Sequence, residues 1–145
     1  METANIEVQQ VKKGCLPVKK HPDDAAFDLI ASEKFTILTN QILTVNTGVK
    51  LSIPPGYAGF VLSRSGLASS GISVANGVGL IDSGYLGEIK VLLHNSRRVR
   101  TFEEGTRIAQ ILFVKLSPVT LEVVPELTTL TTLRGENGLG STGIN

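Results

Sequence analysis

The run Val45-Asn46-Thr47-Gly48-Val49-Lys50-Leu51-Ser52-Ile53-Pro54-Pro55-Gly56 decides the fold class. Val45, Thr47, Val49, Leu51 and Ile53 fall on alternate positions with Asn46, Lys50 and Ser52 between them. That is the period of a strand with one buried face, and Pro54-Pro55-Gly56 closes it as a turn. Outward from there, Tyr57 to Leu62 reads as the next strand. Ile89, Val91 and Leu93 alternate again before a turn at Asn95-Ser96. Glu103-Glu104-Gly105 then separates this region from Arg107-Ile108-Ala109-Gln110-Ile111-Leu112-Phe113-Val114, which is apolar on both faces apart from Gln110. Such a strand is expected where both faces are covered, in a compact barrel or at a subunit interface. Helix signals are confined to one or two turns over Ser65 to Ser70. The reading is all-β, with many short strands in a closed or sandwich-like barrel.

A chain of 145 residues, 41% hydrophobic and 19% charged, fits one globular domain. Its net charge of +1 argues against nucleic acid or a membrane surface as the main partner. No signal-peptide pattern and no apolar run of membrane-spanning length is present, so the expected location is cytoplasmic. Cys15 is alone, which excludes an internal disulfide framework and the zinc-deaminase signature. His21 and His94 lack ligand spacing.

Chemistry is sought first at Gly79-Leu80-Ile81-Asp82-Ser83-Gly84-Tyr85-Leu86-Gly87-Glu88. Strand-like sequence flanks it on both sides, the pattern of a β-hairpin whose turn carries one acid and one aromatic. An acid set beside an apolar run is hydrogen-bonded, solvated or in use. Arg64-Ser65-Gly66-Leu67-Ala68 follows an apolar strand and opens the helical turn. It can present a guanidinium, a hydroxyl and backbone N–H groups to an anion; equally, the arginine can pair with a carboxylate and the serine act as N-cap. Gln110 is either an amide satisfied across the sheet or a donor to a ligand oxygen. Asp28 is either a turn residue or the holder of a hydrated divalent cation, which takes one or two carboxylates plus phosphates. Arg97, Arg98 and Arg100 read as a solvated basic loop. Arg134-Gly135-Glu136-Asn137-Gly138-Leu139-Gly140-Ser141-Thr142-Gly143 is glycine-rich enough for a mobile arm. Its guanidinium, hydroxyls and unhindered N–H groups also suit a polyphosphate, although the spacing is not that of a P-loop.

In order along the chain, Asp24 to Ser32, Arg64 to Ala68, Asn76 to Glu88, Arg107 to Ile111 and Arg134 to Gly143 resemble the five motifs of the trimeric dUTP pyrophosphatase (dUTPase) family. The resemblance implies a jelly-roll-like distorted β-barrel over residues 1–133, a flexible C-terminal arm over 134–145, and a homotrimer whose active sites are shared between subunits. It implies Mg²⁺-dependent hydrolysis of dUTP to dUMP and pyrophosphate by water attack on the α-phosphorus. Asp82 matches the acid that activates the water, and Tyr85 the aromatic that packs under deoxyribose. Asn76, Gly79, Leu80, Ile81, the return strand near Lys90, and Leu139 match the reader and cover of the base. Arg64, Ser65, Gly66, Gln110, Arg134, Gly140, Ser141 and Thr142 match the phosphate ligands, and Asp28 the acid holding the metal through water. A dCTP deaminase-like enzyme on the same fold resembles this chain too, but would need an acid where Val91-Leu92-Leu93 stand. A nucleotide-dependent regulatory protein is the other alternative.

The chain departs from the commonest family pattern at four positions. Ser63 replaces a proline before Arg64, Gly84 and Leu86 replace charged residues around Tyr85, and Leu139 replaces an aromatic cap. Leucine still excludes water but forgoes a stacking contribution of about 0.5–1.5 kcal/mol. Leu139→Phe is therefore expected to lower the KM for dUTP in steady-state assays; an unchanged or higher KM would refute the looser cap.

Overall fold

The computed structural model describes residues 2–140 and bears out the all-β reading. Ten strands and one short helix follow in the order β1 (Glu7–Gln10), β2 (Phe27–Ile30), β3 (Phe35–Ile37), β4 (Ile42–Ser52), β5 (Tyr57–Leu62), α1 (Ser65–Ser69), β6 (Ile72–Val74), β7 (Gly79–Ile81), β8 (Glu88–Asn95), β9 (Arg100–Phe102) and β10 (Arg107–Lys115). One four-stranded sheet runs β1-β4-β8-β6, a second runs β2-β10-β5-β7, and β3 pairs with β9. All pairings are antiparallel. This is the jelly-roll-like β-barrel architecture.

The alternation in the sequence supplies the core. Val45, Val49 and Leu51 of β4 join Ile89, Val91 and Leu93 of β8, Val61 of β5, and Ala109 and Ile111 of β10 in one buried cluster. β10 is enclosed by β2 and β5 on its two edges, and its second half (Leu112 to Val114) keeps one face partly open.

The polar members of β4 explain its one irregularity. Thr47 is fully buried, and its hydroxyl donates to the Ile89 carbonyl at 2.6 Å. Beside it the β4–β8 register shifts between Asn46 and Lys50. Gly48 there has φ +75 and donates its N–H to Glu88 Oε2 at 3.1 Å. The bulge carries β4 past Cys15, whose thiol pKa is pushed up by burial, with Lys12 opposing the rise.

The expected hairpin around Asp82 is corrected by the topology. β8 pairs with β4 along one edge and, over Leu93–Asn95, with β6 on the other, and β7 is not among its partners. β7 pairs instead with β5, Gly79 beside Val61 and Ile81 beside Gly59. Residues 82–87 therefore cross from one sheet to the other. The last strand ends at Lys115, and residues 116–140 lie exposed apart from the half-buried Val124.

A Cβ at position 48 would stand 2.6 Å from Cys15 Sγ in a backbone conformation that favours glycine. Gly48→Ala is expected to destabilise the fold by about 1–3 kcal/mol. The urea midpoint checks this, and an unchanged midpoint would contradict it.

Candidate active site

Register builds the principal cleft. Gln110 on β10 lies opposite Asp28 on β2 and opposite Leu62 on β5. Asp28, Gln110 and the β5–α1 junction thus form one row across three adjacent strands. Beyond Leu62 the chain turns through Ser63 and Arg64 into α1. The resulting cleft of about 390 Å³ is lined by Asp24, Asp28, Arg64, Ser65, Gly66, Arg107 and Gln110, with Lys20 and Ala25-Ala26 at its rim. Four of the expected phosphate and metal residues from the barrel, and the fifth, Asp28, are therefore neighbours in space.

The contacts choose between the readings left open by the sequence. Arg64 Nε pairs with Asp28 Oδ1 at 3.2 Å, and Arg107 Nε approaches Asp28 Oδ2 at 3.7 Å. Arg64 also donates to the Arg107 carbonyl at 3.3 Å. Asp28 thus holds two guanidiniums at the cleft. Ser65 makes no side-chain cap to α1, whose N-cap residue is Arg64, so its hydroxyl is exposed at the cleft. Gln110 Nε2 donates to the Ser63 carbonyl at 2.9 Å, which satisfies the amide N–H across the sheet and locks the turn before Arg64. Ser63 acts here as well, since its hydroxyl accepts from the Val74 N–H at 2.8 Å.

Arg107 and Lys20 were absent from the residues expected to bind phosphate, yet both line the cleft. Arg107 could have been found from its place at the start of the Gln110 strand; Lys20 sits in a loop with no local signal. Among the described residues, no group of three or more His, Cys, Asp or Glu side chains is arranged to hold a metal ion. With both oxygens of Asp28 facing guanidiniums, a cation at this cleft would need waters and ligand oxygens to complete its shell.

The other half of the expected site is elsewhere. Ile81 sits beside Gly59, three positions back along β5 from Leu62, a separation of about 10 Å at the strand rise. Asp82 continues away from that point. Its carboxylate is exposed and makes no ion pair among the described residues. The Tyr85 N–H donates to the Asp82 carbonyl at 3.1 Å, and the Tyr85 hydroxyl donates to the Glu88 carbonyl at 2.7 Å. A Cβ on Gly87 would meet the Tyr85 ring at 2.6–3.0 Å, so glycine is what lets the ring lie flat over the chain. This phenol–carbonyl bond braces the loop where Gly84 and Leu86 supply no charge.

β7 is the outer strand of its sheet, leaving one backbone edge of Gly79, Leu80 and Ile81 without a strand partner. Asn76 lies close by, its Nδ2 3.7 Å from where a Gly79 Cβ would stand. Lys90 projects into solvent from β8, in the other sheet. Arg134 folds its Nε onto the Asn137 carbonyl at 2.9 Å. Arg134, Leu139 and Gly140 are exposed and line none of the cleft; Ser141 and Thr142 lie outside the described residues. One chain therefore carries two separate half-sites, an anion cleft and an acid–aromatic loop.

Residues 12–143 of the chain match the family model described as dUTPase. The deoxyuridine 5'-triphosphate nucleotidohydrolase of Leifsonia xyli subsp. xyli is 44% identical over 145 residues, covering 97% of this chain and 93% of its own. The dUTPase of Staphylococcus bacteriophage 80alpha, solved with dUPNHPP, superposes with a TM-score of 0.89 at 27% identity, covering 98% of this chain and all of its own. A variant dUTPase of phage phi11 of S. aureus, whose structure reveals the coordination of a structural Mg(II) ion, gives a TM-score of 0.78 at 24% identity over 85% of this chain and 98% of its own. That last likeness speaks for the fold alone. The chain belongs to the dUTPase family.

Asp28→Asn removes the anion that holds both guanidiniums. A loss of about 1.5–3 kcal/mol, the range for hydrogen bonds to charged groups, is expected in urea unfolding. No change in the midpoint would show that the two arginines do not depend on Asp28.

Proposed function

We propose that this protein hydrolyses dUTP to dUMP and pyrophosphate, as a homotrimer whose active sites combine half-sites from different subunits. The observation that carries this reading is the split itself. The anion cleft and the Asp82–Tyr85 loop lie toward different ends of β5, about 10 Å apart along the strand with Asp82 continuing away from the cleft, and a family relative was solved with dUPNHPP. A second copy placing its Asp82 loop against the first copy's cleft would reunite them.

In the assembled site each residue does a task its chemistry allows. Arg64, Ser65, the Gly66 N–H and Arg107 receive the phosphate chain, with Gln110 keeping the turn rigid; preorganised charge of this kind is the main resource of phosphoryl transfer. Arg134 and the Gly140, Ser141 and Thr142 segment would close over the outer phosphates. Asp82, unpaired and solvated, accepts the proton of the water that attacks the α-phosphorus, and pyrophosphate departs with the electrons of the broken P–O bond. Mg²⁺, held by Asp28 through water and by phosphate oxygens, would neutralise charge on the leaving group. The free backbone edge of Gly79 to Ile81, with Asn76, offers N–H and C=O groups to the uracil edge. The Tyr85 ring, fixed by its bond to Glu88, presents a flat apolar surface to deoxyribose. Leu139 would cover the base. The expected setting is cytoplasmic.

Pyrophosphate release from dUTP and UTP by the native protein and by Asp82→Asn tests the scheme. Loss of a general base is expected to cost about 10²–10⁴-fold in kcat, and the native enzyme should favour dUTP over UTP. Full activity in the Asn variant removes Asp82 from its role; equal turnover of UTP removes Tyr85 from its own.

A further inference from the structure

Arg97 and Arg98 lie exposed in the solvated loop expected from the sequence, and Arg100 opens β9 half-buried. They share a cleft of about 690 Å³ with Ser69 and Ser70, and no acidic residue lines it. None of the three makes an ion pair among the described residues. Three like charges at one concave site repel each other unless something anionic joins them.

Parts of this cluster are also held in place. Asn95 is completely buried, donating from Nδ2 to the Ile37 and Arg98 carbonyls at 3.3 and 2.9 Å and accepting the Arg97 N–H through Oδ1 at 3.0 Å. One buried amide thereby sets the turn that carries both exposed arginines. The Arg97 stem lies over Gly71, which has φ +96 and where a Cβ would stand 2.6 Å from Arg97 Cγ. Arg100 donates from Nη1 to Ser70 Oγ at 2.8 Å and stacks its guanidinium 4.7 Å above the Phe102 ring. With the turn backbone, the Arg97 stem and the Arg100 guanidinium already placed, less side-chain entropy remains to be lost when an anion binds.

We propose that this cleft is a second anion site, separate from the active site, that takes a multiply charged inorganic phosphoanion of the pyrophosphate or tripolyphosphate class. Guanidinium forks match phosphoryl oxygens in pairs, and the three positive charges suit a ligand of several negative ones. The lining is arginine and serine, and the nearby Phe102 face is already occupied by Arg100, so no surface is left to stack a base. The site lies at the C-terminal end of α1, while Ser65 and Gly66 at the other end of that helix line the cleft described above. Its occupant would thus share a structural element with the active site without touching it. The two sites have no residue in common, so the test below and that of Asp82 can fail independently.

Calorimetric titration of pyrophosphate into the native protein, Arg97→Gln/Arg98→Gln and Arg64→Ala checks the proposal. Glutamine retains most of the stem over Gly71 while removing the charge. Binding to the Arg97/Arg98 variant is expected to weaken by about tenfold or more, the loss appropriate to charge-assisted hydrogen bonds. Arg64→Ala, altered only in the active-site cleft, should keep this binding. Should the double variant melt early, the single Arg98→Gln carries the same expectation at smaller size, since Arg98 is exposed. Unchanged affinity in the Arg97/Arg98 variant, or no pyrophosphate binding that survives Arg64→Ala, overturns the site. A nucleoside triphosphate binding there more than tenfold tighter than tripolyphosphate overturns the assignment to inorganic anions.

Discussion

β10 hydrogen-bonds to β2 along one edge and β5 along the other, and the functional arrangement depends on that double pairing. It sets Asp28, Gln110 and Leu62 in one row, so residues from three distant parts of the chain meet without any loop having to carry them. The same ladder fixes the exit of β5, where the Gln110 amide holds the Ser63 carbonyl and Arg64 swings back onto Asp28. Sites borne on paired strands keep their geometry because a shift of any member would break backbone hydrogen bonds on both sides.

The electrostatic design is one of opposed halves. The cleft concentrates Arg64, Arg107 and Lys20 around two acids, whereas Asp82 stands in solvent with no cation beside it. Asp28 and Asp82 are the same residue type, but one carboxylate faces two guanidiniums and the other is exposed.

Much of this was legible in the residues. The alternation of Val45 to Ile53 and of Ile89 to Leu93 named the strands and their buried faces, and Ser65 to Ser70 was recognisable as the one helical turn. The motifs grouped the residues of the cleft through family resemblance. What could not be read was partnership. Period-2 patterning reports which face is buried but not which strand lies alongside, so β7 and β8 looked like a hairpin although β7 pairs with β5 in the other sheet. The pairing of Arg64 with Asp28 likewise depends on a contact between residues far apart in the chain. Arg97 and Arg98 stand in the solvated loop that the sequence indicated, but the hold of buried Asn95 on that turn was invisible in a turn-like Asn-Ser dipeptide.

The segment after β10 has a bearing on what the barrel leaves for other surfaces to cover. Val119, Leu121 and Val123 alternate along an extended stretch and stand 75–99% exposed, a sticky strip resembling an unpaired sheet edge. It follows every strand of the barrel in the chain and pairs with none of them. Pro118 and Pro125 bracket it and Glu122 interrupts it, the kind of punctuation that discourages runaway stacking of chains. The barrel's own pairings leave this strip uncovered, a surface that another segment or chain can cover.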